Sequence, residues 1–224
     1  NNIQVWGTKG KALSKFGRYE EAVQCYDRVI EIDEEQIEAW HFKGLALGNL
    51  ERHEEALECF GRVLQIDEND VNAGVLAALT LGKLGRYEDE LRCYDRSIEI
   101  DGNNVKAWYF KGAALRNLER HEEAVQCYDR ALQIDENNLT AWNDKGVAVG
   151  KLGRYEEAVQ CYDRALQIDE NYVDAWKGKG DALEKIGKNK EAVQCYDKVL
   201  EIKKITTLMN QGSELIQLKK YEQS

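Results

Sequence analysis

The feature that most constrains this chain is a period of 34 residues. Counted from Trp6, the same residue types return in register along the sequence. All five tryptophans fall in one column, at Trp6, Trp40, Trp108, Trp142 and Trp176. Four positions later stands glycine, at Gly10, Gly44, Gly112, Gly146 and Gly180. A small residue follows at Ala22, Ala56, Ala124, Ala158 and Ala192, and an aromatic four beyond it, at Tyr26, Phe60, Tyr128, Tyr162 and Tyr196. A period of this size describes one supersecondary unit made many times over. Each unit is too small to bury its apolar face alone, so neighbours must stack to form a core.

Within a period the spacing is helical. Trp40, Gly44, Leu47 and Leu50 share one helical face, and Ala56, Phe60, Val63 and Leu64 share another. Small Gly44 and Ala56 let the two helices approach while Trp40 and Phe60 fill the space beside them. Gly17, Gly85, Gly153 and Gly187 suit the left-handed residue that ends a first helix. The Asp-Glu-Asn segments at 67–69, 135–137 and 169–171 end second helices, and their side chains can cap the next helix. No strand-like alternation runs through the pattern. The expectation is an all-α chain: an α-solenoid, wound as a right-handed superhelix, of six helix–turn–helix units at 3–36, 37–70, 71–104, 105–138, 139–172 and 173–206.

A partial seventh unit is expected over 205–224. Leu208, Gly212, Leu215 and Leu218 read as a restarted first helix, after a turn near Lys203-Lys204. Lys220-Tyr221-Glu222 matches the turn into a second helix. On this reading the chain is a segment of a longer array, with apolar surface exposed at its ends and weak end-to-end self-association.

Several functions are disfavoured by composition and motif. The chain carries 41 acidic and 31 basic side chains, a formal charge of -10, which repels a phosphate backbone and argues against nucleic acid as a partner. Mean hydropathy is -0.62 and no apolar run is long enough for a membrane helix, so a soluble, cytoplasmic protein is expected. Cys25, Cys59, Cys93, Cys127, Cys161 and Cys195 keep the 34-residue period, so they belong to the repeat and not to a disulfide framework. Equivalent cysteines would sit two helices apart, beyond the roughly 7 Å between Cα atoms that a disulfide allows. His53 and His121 occupy the column of Tyr19, Tyr87 and Tyr155 and read as structural. Glycine-rich phosphate loops, CxxC pairs and HExxH are all missing. No enzymatic activity, cofactor or metal is expected.

The order Trp, Gly, Tyr, Ala, aromatic, small residue at this period resembles the tetratricopeptide repeat. The resemblance covers 3–206 and departs from the family in two respects. The family's terminal proline is absent, since the chain has no Pro. Lys9, Lys43, Lys111, Lys145 and Lys179 stand where the family has leucine, which a Lys stem can replace by covering apolar surface while its ammonium reaches water.

The resemblance implies a concave wall made by first-helix residues that face away from the second helix. That wall contains His41, Leu45, Val75, Leu79, Lys83, Lys106, Tyr109, Ala113, Arg116, Asn117, Asn143, Val147, Lys151 and Lys177, a candidate peptide-binding groove. These positions vary from unit to unit. The whole wall holds eight cations (Lys11, Lys15, Lys83, Lys106, Arg116, Lys151, Lys177, Lys185) and four acids (Glu38, Asp174, Asp181, Glu184), a net of +4 against -14 elsewhere. Leu45, Val75, Leu79, Ala113 and Val147 form an expected apolar floor, and an apolar strip with a polar rim is a mark of a binding site. Tyr109 and His41 offer flat surface, while Asn117 and Asn143 can bond a peptide backbone.

The implied function is a non-enzymatic scaffold that holds a partner peptide with both apolar and acidic side chains. The resemblance also admits a different class, the substrate-recruiting arm of a larger enzyme such as a glycosyltransferase. Capture of chaperone carboxyl tails is disfavoured, because no first helix offers the Lys-then-Asn pair that the family uses for it. One further expectation concerns 71–104. Gly74, Ala78 and Glu90 stand there in the Trp, Gly and Ala columns, marking this unit as the soft point of the array.

Overall fold

The computed structural model describes the backbone of residues 2–221 and the side chains of residues 2–208. Among the described residues it contains twelve helices and no strand. They are α1 (Asn2–Lys15), α2 (Tyr19–Ile32), α3 (Ile37–Asn49), α4 (His53–Ile66), α5 (Val71–Lys83), α6 (Tyr87–Ile100), α7 (Val105–Asn117), α8 (His121–Ile134), α9 (Leu139–Lys151), α10 (Tyr155–Ile168), α11 (Val173–Lys185) and α12 (Asn189–Tyr221). The all-α expectation holds, and the helices come in consecutive packed pairs. The chain divides into two units, Asn1–Ala114 and Leu115–Ser224. In the first, each of α1 to α5 packs on the helix that follows it, up to α6; in the second, each of α8 to α11 does the same, up to α12.

The helix ends follow from a few recurring residues. First helices stop where a residue turns left-handed: Gly17, Gly85, Gly153 and Gly187 have φ between +71° and +80°. Glu51 and Glu119 take the same conformation at φ 59° and 60°, without glycine's freedom from steric cost. Second helices stop at Asp33, Asp67, Asp101, Asp135 and Asp169. The Oδ1 of each accepts a hydrogen bond from the backbone N–H two residues on, at 2.9–3.2 Å. This folds the backbone out of the helix and into a turn. Asp70, Asn104 and Asn138 then cap α5, α7 and α9 by accepting from the third N–H beyond.

The tryptophan column fixes this turn to the helix that follows it. The indole Nε1 of Trp40, Trp108, Trp142 and Trp176 donates to the carbonyls of Glu34, Gly102, Glu136 and Glu170, at 2.7–3.0 Å. The lysine three residues on lies over the same ring, with Nζ 5.3–5.9 Å from the centroid at Lys43, Lys111, Lys145 and Lys179. Each ammonium also reaches back to the preceding second helix. Lys43 pairs with Asp27 at 2.7 Å, Lys145 with Asp129 at 2.6 Å, Lys179 with Asp163 at 2.6 Å, and Lys111 with Asp95. The Lys that departs from the family's leucine therefore clips one repeat to the previous one.

Alanines and aromatics form the core. Ala56, Ala124 and Ala158 are fully buried, and Tyr26, Tyr94 and Tyr128 nearly so. The close approach at the glycine column is needed: a Cβ on Gly146 would stand 2.8 Å from the Tyr162 ring. Cys93 is half-buried, while Cys25, Cys59, Cys127, Cys161 and Cys195 are buried. Burial pushes the Cys59 and Cys161 thiols up to about 11.

The structure corrects one expectation about the C-terminal segment. α12 runs through Lys203 and Lys204 without a break, so the turn expected there is not formed. Lys203 occupies the column of Asp33, Asp67, Asp101, Asp135 and Asp169. An ammonium cannot accept the N–H that those carboxylates accept, and no Asn, Asp, Gly or Pro follows before Leu208. α12 also runs on through Lys220 and Tyr221, where the turn into a second helix is expected, while Glu222 and the side chains of Leu215 and Leu218 lie outside the described residues.

Residues 71–104 still form a helix pair, by different means. Gly74 is buried where tryptophan stands elsewhere, and a Cβ there would lie 2.6 Å from Ser97 Oγ. Ser97 replaces the valine or alanine of its column and satisfies its hydroxyl on the Cys93 carbonyl at 2.9 Å. Glu90, in the alanine column, is only 7% exposed, with its carboxyl against Gly82. Burial raises its pKa, and the neighbouring Tyr94 hydroxyl draws it partway back.

Candidate functional site

The first helices leave hollows between consecutive copies, and three are well formed. In the N-terminal unit, one of about 590 Å³ lies between α1 and α3 and includes Gln4, Gly7, Lys11, Glu38 and Phe42. A second, of about 280 Å³, lies between α3 and α5, with Leu45 and Leu79 beside Phe60 and Leu76, and Lys83 at its edge. In the C-terminal unit, a hollow of about 430 Å³ lies between α9 and α11. Val147, Tyr155 and Tyr162 give it an apolar side, and Lys151, Lys177, Lys185, Asp174 and Asp181 give it a charged one.

Of the fourteen residues expected in the groove, the structure brings Leu45, Leu79 and Lys83 together in one hollow, and Val147, Lys151 and Lys177 in another. Lys106 and Asn117 are exposed on α7, and Ala113 is half-buried. Three others differ from their expected roles. Val75 is 5% exposed and belongs to the core with Ala78, Tyr94 and Ala107, so it forms no part of an open floor. A short side chain in this column sinks between helices, whereas Lys177 in the same column reaches solvent. Asn143 is 7% exposed, its amide directed at Asp144 Oδ1 at 3.3 Å, and is too deep to bond a passing peptide backbone. The Arg116 guanidinium is already paired with Asp144 at 3.1 Å. The two flat rings are both braced from the side. His41 stands edge-on to Phe42 and Phe60, with centroids 5.7 and 6.2 Å away. Tyr109 stands edge-on to Phe110, centroids 5.1 Å apart.

The cations separate into two groups. Lys43, Lys111, Lys145 and Lys179 are engaged by the framework, and Lys11 pairs with Glu38 at 2.7 Å. Lys83, Lys106, Lys151 and Lys177 make no ion pair among the described residues, and all four are exposed. These four can meet a carboxylate without first breaking a bond.

Sequence reasoning misses Tyr155 and Tyr162 as lining residues. Tyr162 reads as framework alone, yet its ring also borders the C-terminal hollow, where a Cβ on Gly178 would stand 2.5 Å from it. The signal lies in one column. Phe42, Leu76 and Phe110 give way to Asp144 and then Gly178, so the side chain that covers the tyrosine ring shrinks to nothing. Among the described residues no cluster of three or more His, Cys, Asp or Glu could hold a metal ion. None of their helices is long and apolar enough to cross a membrane.

Comparison with known proteins returns the same architecture. The chain resembles a crystal structure of MamA at 21% identity and a TM-score of 0.69, covering 73% of this chain and 96% of that one. It resembles MamA from Desulfovibrio magneticus RS-1 at 18% identity and a TM-score of 0.69, covering 75% and 95%. YrrB, a TPR protein with an unusual peptide-binding site, matches at 20% identity and a TM-score of 0.65, covering 84% and 97%. At these identities the likeness concerns the fold. No curated protein matches the chain in sequence. Models of the tetratricopeptide repeat match residues 3–36, 37–70, 105–138, 140–172 and 173–206, passing over the 71–104 segment that lacks the column tryptophan. With most of its length matched in register with the helix pairs, the chain belongs to the tetratricopeptide repeat family.

Proposed function

We propose that this protein is a non-enzymatic scaffold that binds a peptide segment of a partner protein in the hollows between its first helices. The observation that carries this reading is the division among the lysines. Those in the repeat framework are consumed by Asp partners and Trp rings, while Lys83, Lys151 and Lys177 border apolar hollows unpaired. An unpaired cation beside an apolar recess suits a ligand with alternating acidic and apolar side chains. Exposed ion pairs contribute about 0–1 kcal/mol each, so Leu45, Leu79 and Val147 supply most of the affinity while the lysines set orientation and on-rate. The peptide-binding site of YrrB makes such a use of the fold reasonable, without fixing where a peptide would lie on this chain.

Selection of random displayed peptides on the purified chain tests the reading. Enriched sequences should combine Asp or Glu with large apolar residues. Leu79→Asp should abolish binding of peptides held by the N-terminal unit while leaving the helical circular dichroism intact. Lys151→Ala should weaken those held by the C-terminal unit about two- to threefold and flatten their salt dependence. Normal binding by both variants, with loss on an outer-helix change such as Arg130→Glu, places the ligand elsewhere.

A further inference from the structure

The aromatics of one column differ in what lies beside them. The residue sixteen positions after Tyr26, Phe60, Tyr94 and Tyr162 is Phe42, Leu76, Phe110 and Gly178 in turn. The Phe42 ring lies nearly parallel to that of Tyr26, with centroids 6.0 Å apart and 19° between the planes. Phe110 packs against the cluster that holds Tyr94. The hydroxyls of Tyr26 and Tyr94 are sealed from solvent. Tyr162 has only a glycine in that place. Its ring leans over Gly178, with the hydroxyl oxygen 2.8 Å from where a Cβ would stand. The residue is 4% exposed and borders the hollow of about 430 Å³ between α9 and α11. Its hydroxyl makes no hydrogen bond among the described residues.

The hollow therefore has two levels. α10 supplies the floor, where Tyr155, Ala158 and Tyr162 lie, and the exposed Lys151, Lys177, Lys185, Asp174 and Asp181 form the rim. Three ammonium groups against two carboxylates leave the rim one positive charge in excess. Asp181 is already engaged, accepting from the Tyr196 hydroxyl at 2.9 Å. Burial above all raises the pKa of Tyr162, so its hydroxyl keeps its proton and serves as a donor. A buried donor without an acceptor is costly, and an incoming acceptor recovers that cost. The floor of the hollow between α3 and α5 has Phe60 in the same column and offers no such group.

We propose that the C-terminal hollow takes a glutamate side chain of the bound peptide, its carboxylate accepting a hydrogen bond from the Tyr162 hydroxyl. This rests on the peptide-binding reading and adds to it the residue that selects the ligand. The methylenes of a glutamate can lie against Val147, Ala158 and the Tyr155 ring while the carboxylate reaches the floor. An aspartate is one methylene shorter and stays with the ammonium groups of the rim. Pairing with exposed lysines adds little. A hydrogen bond from a buried hydroxyl to a carboxylate is charge-assisted and sheltered from water, so it discriminates. A single excess positive charge suits one carboxylate. A phosphate dianion would also have to face Asp174 and Asp181.

Tyr162→Phe removes the hydroxyl and keeps the packing, since Phe60 meets Gly44 as Tyr162 meets Gly146, with Cβ-to-ring distances of 2.7 and 2.8 Å. Circular dichroism should be unchanged. The probes are peptides selected on the parent chain whose binding Lys151→Ala weakens. Each should carry a Glu whose change to Asp weakens binding to the parent about tenfold. Tyr162→Phe should bind the Glu peptides about tenfold more weakly and treat Glu and Asp alike to within about twofold. Peptides held by the N-terminal unit should bind both proteins equally. The proposal is overturned if Tyr162→Phe binds the Glu peptides as the parent does, if Asp serves as well as Glu, or if phosphoserine in that place binds more tightly. Each of those results leaves peptide binding itself standing. A parent that enriches no peptide overturns the peptide-binding reading, and this one with it.

Discussion

Residues 71–104 and 139–172 hold equivalent places in the period, yet they are secured differently. In 139–172, Trp142 donates to the Glu136 carbonyl, its ring lies under Lys145 and near Arg164, and Lys145 reaches back to Asp129. In 71–104 the tryptophan is Gly74, the lysine is Ala77, and the aspartate of the preceding helix is Gly61. Both halves of the clip are lost together. The shape, by contrast, is kept. Gly74 closes on Ser97, and Glu90 fills the space over Gly82. The lesson is that this repeat tolerates the loss of its polar anchors if the side-chain volumes are rebalanced. A retained outline therefore says little about how firmly a segment is held.

The largest test removes the anchor where it exists. Trp142→Ala should destabilise 139–172 by about 3 kcal/mol, since it deletes the indole, its hydrogen bond and the stacking of two cations. Local opening measured by hydrogen exchange is the suitable readout, because repeat arrays need not unfold in one step. A loss under about 1 kcal/mol would show that the tryptophan column is ornamental to stability. In the parent chain, amides of 71–104 should open before those of 139–172, by on the order of 2 kcal/mol. Equal protection would mean that the Gly74–Ser97 and Glu90–Gly82 contacts replace the anchors in energy as well as in shape.

A smaller effect is expected at Glu90. Glu90→Ala recreates the pairing of Gly150 with Ala158, where a methyl on the glycine would make an ordinary 3.8 Å contact, and should stabilise the chain by about 1–2 kcal/mol at neutral pH. The sign with pH follows from the raised pKa of Glu90 in the fold. Below the carboxyl's unfolded pKa both states are protonated and the penalty vanishes. As pH rises through the unfolded value toward the folded one, the unfolded chain releases its proton first, and stability falls. The advantage of Glu90→Ala over the parent should therefore grow from acid toward neutral pH in urea titrations, and a constant gap would mean that the carboxyl is not desolvated.

The smallest effect concerns the clip. A double-mutant cycle on Lys145 and Asp129, each changed to Ala, should give a coupling of about 0.5–1 kcal/mol that shrinks in high salt. A coupling near zero would mean that the loss of this pair at 71–104 does not contribute to any softness there.

Much of this protein was determined by its sequence alone. The 34-residue period, the left-handed glycines and the aspartates that end second helices are local signals, and each acts within a few residues of itself. Helix pairing was legible because the Gly, Ala and aromatic columns repeat, and repetition supplies its own internal comparison. The tertiary structure decided depth and partnership. A column gives the direction of a side chain but not how far it reaches or what awaits it. Val75 and Asn143 point as expected and sink, while Arg116 points as expected and is already taken by Asp144. Lys43, Lys111, Lys145 and Lys179 read as stems over apolar surface, and only the packing of successive helices turned them into clips. The continuation of α12 lies between the two cases. Lys203 in an aspartate column was visible in the sequence, but its effect depends on the hydrogen bond it cannot accept, which only the five folded counterparts made plain.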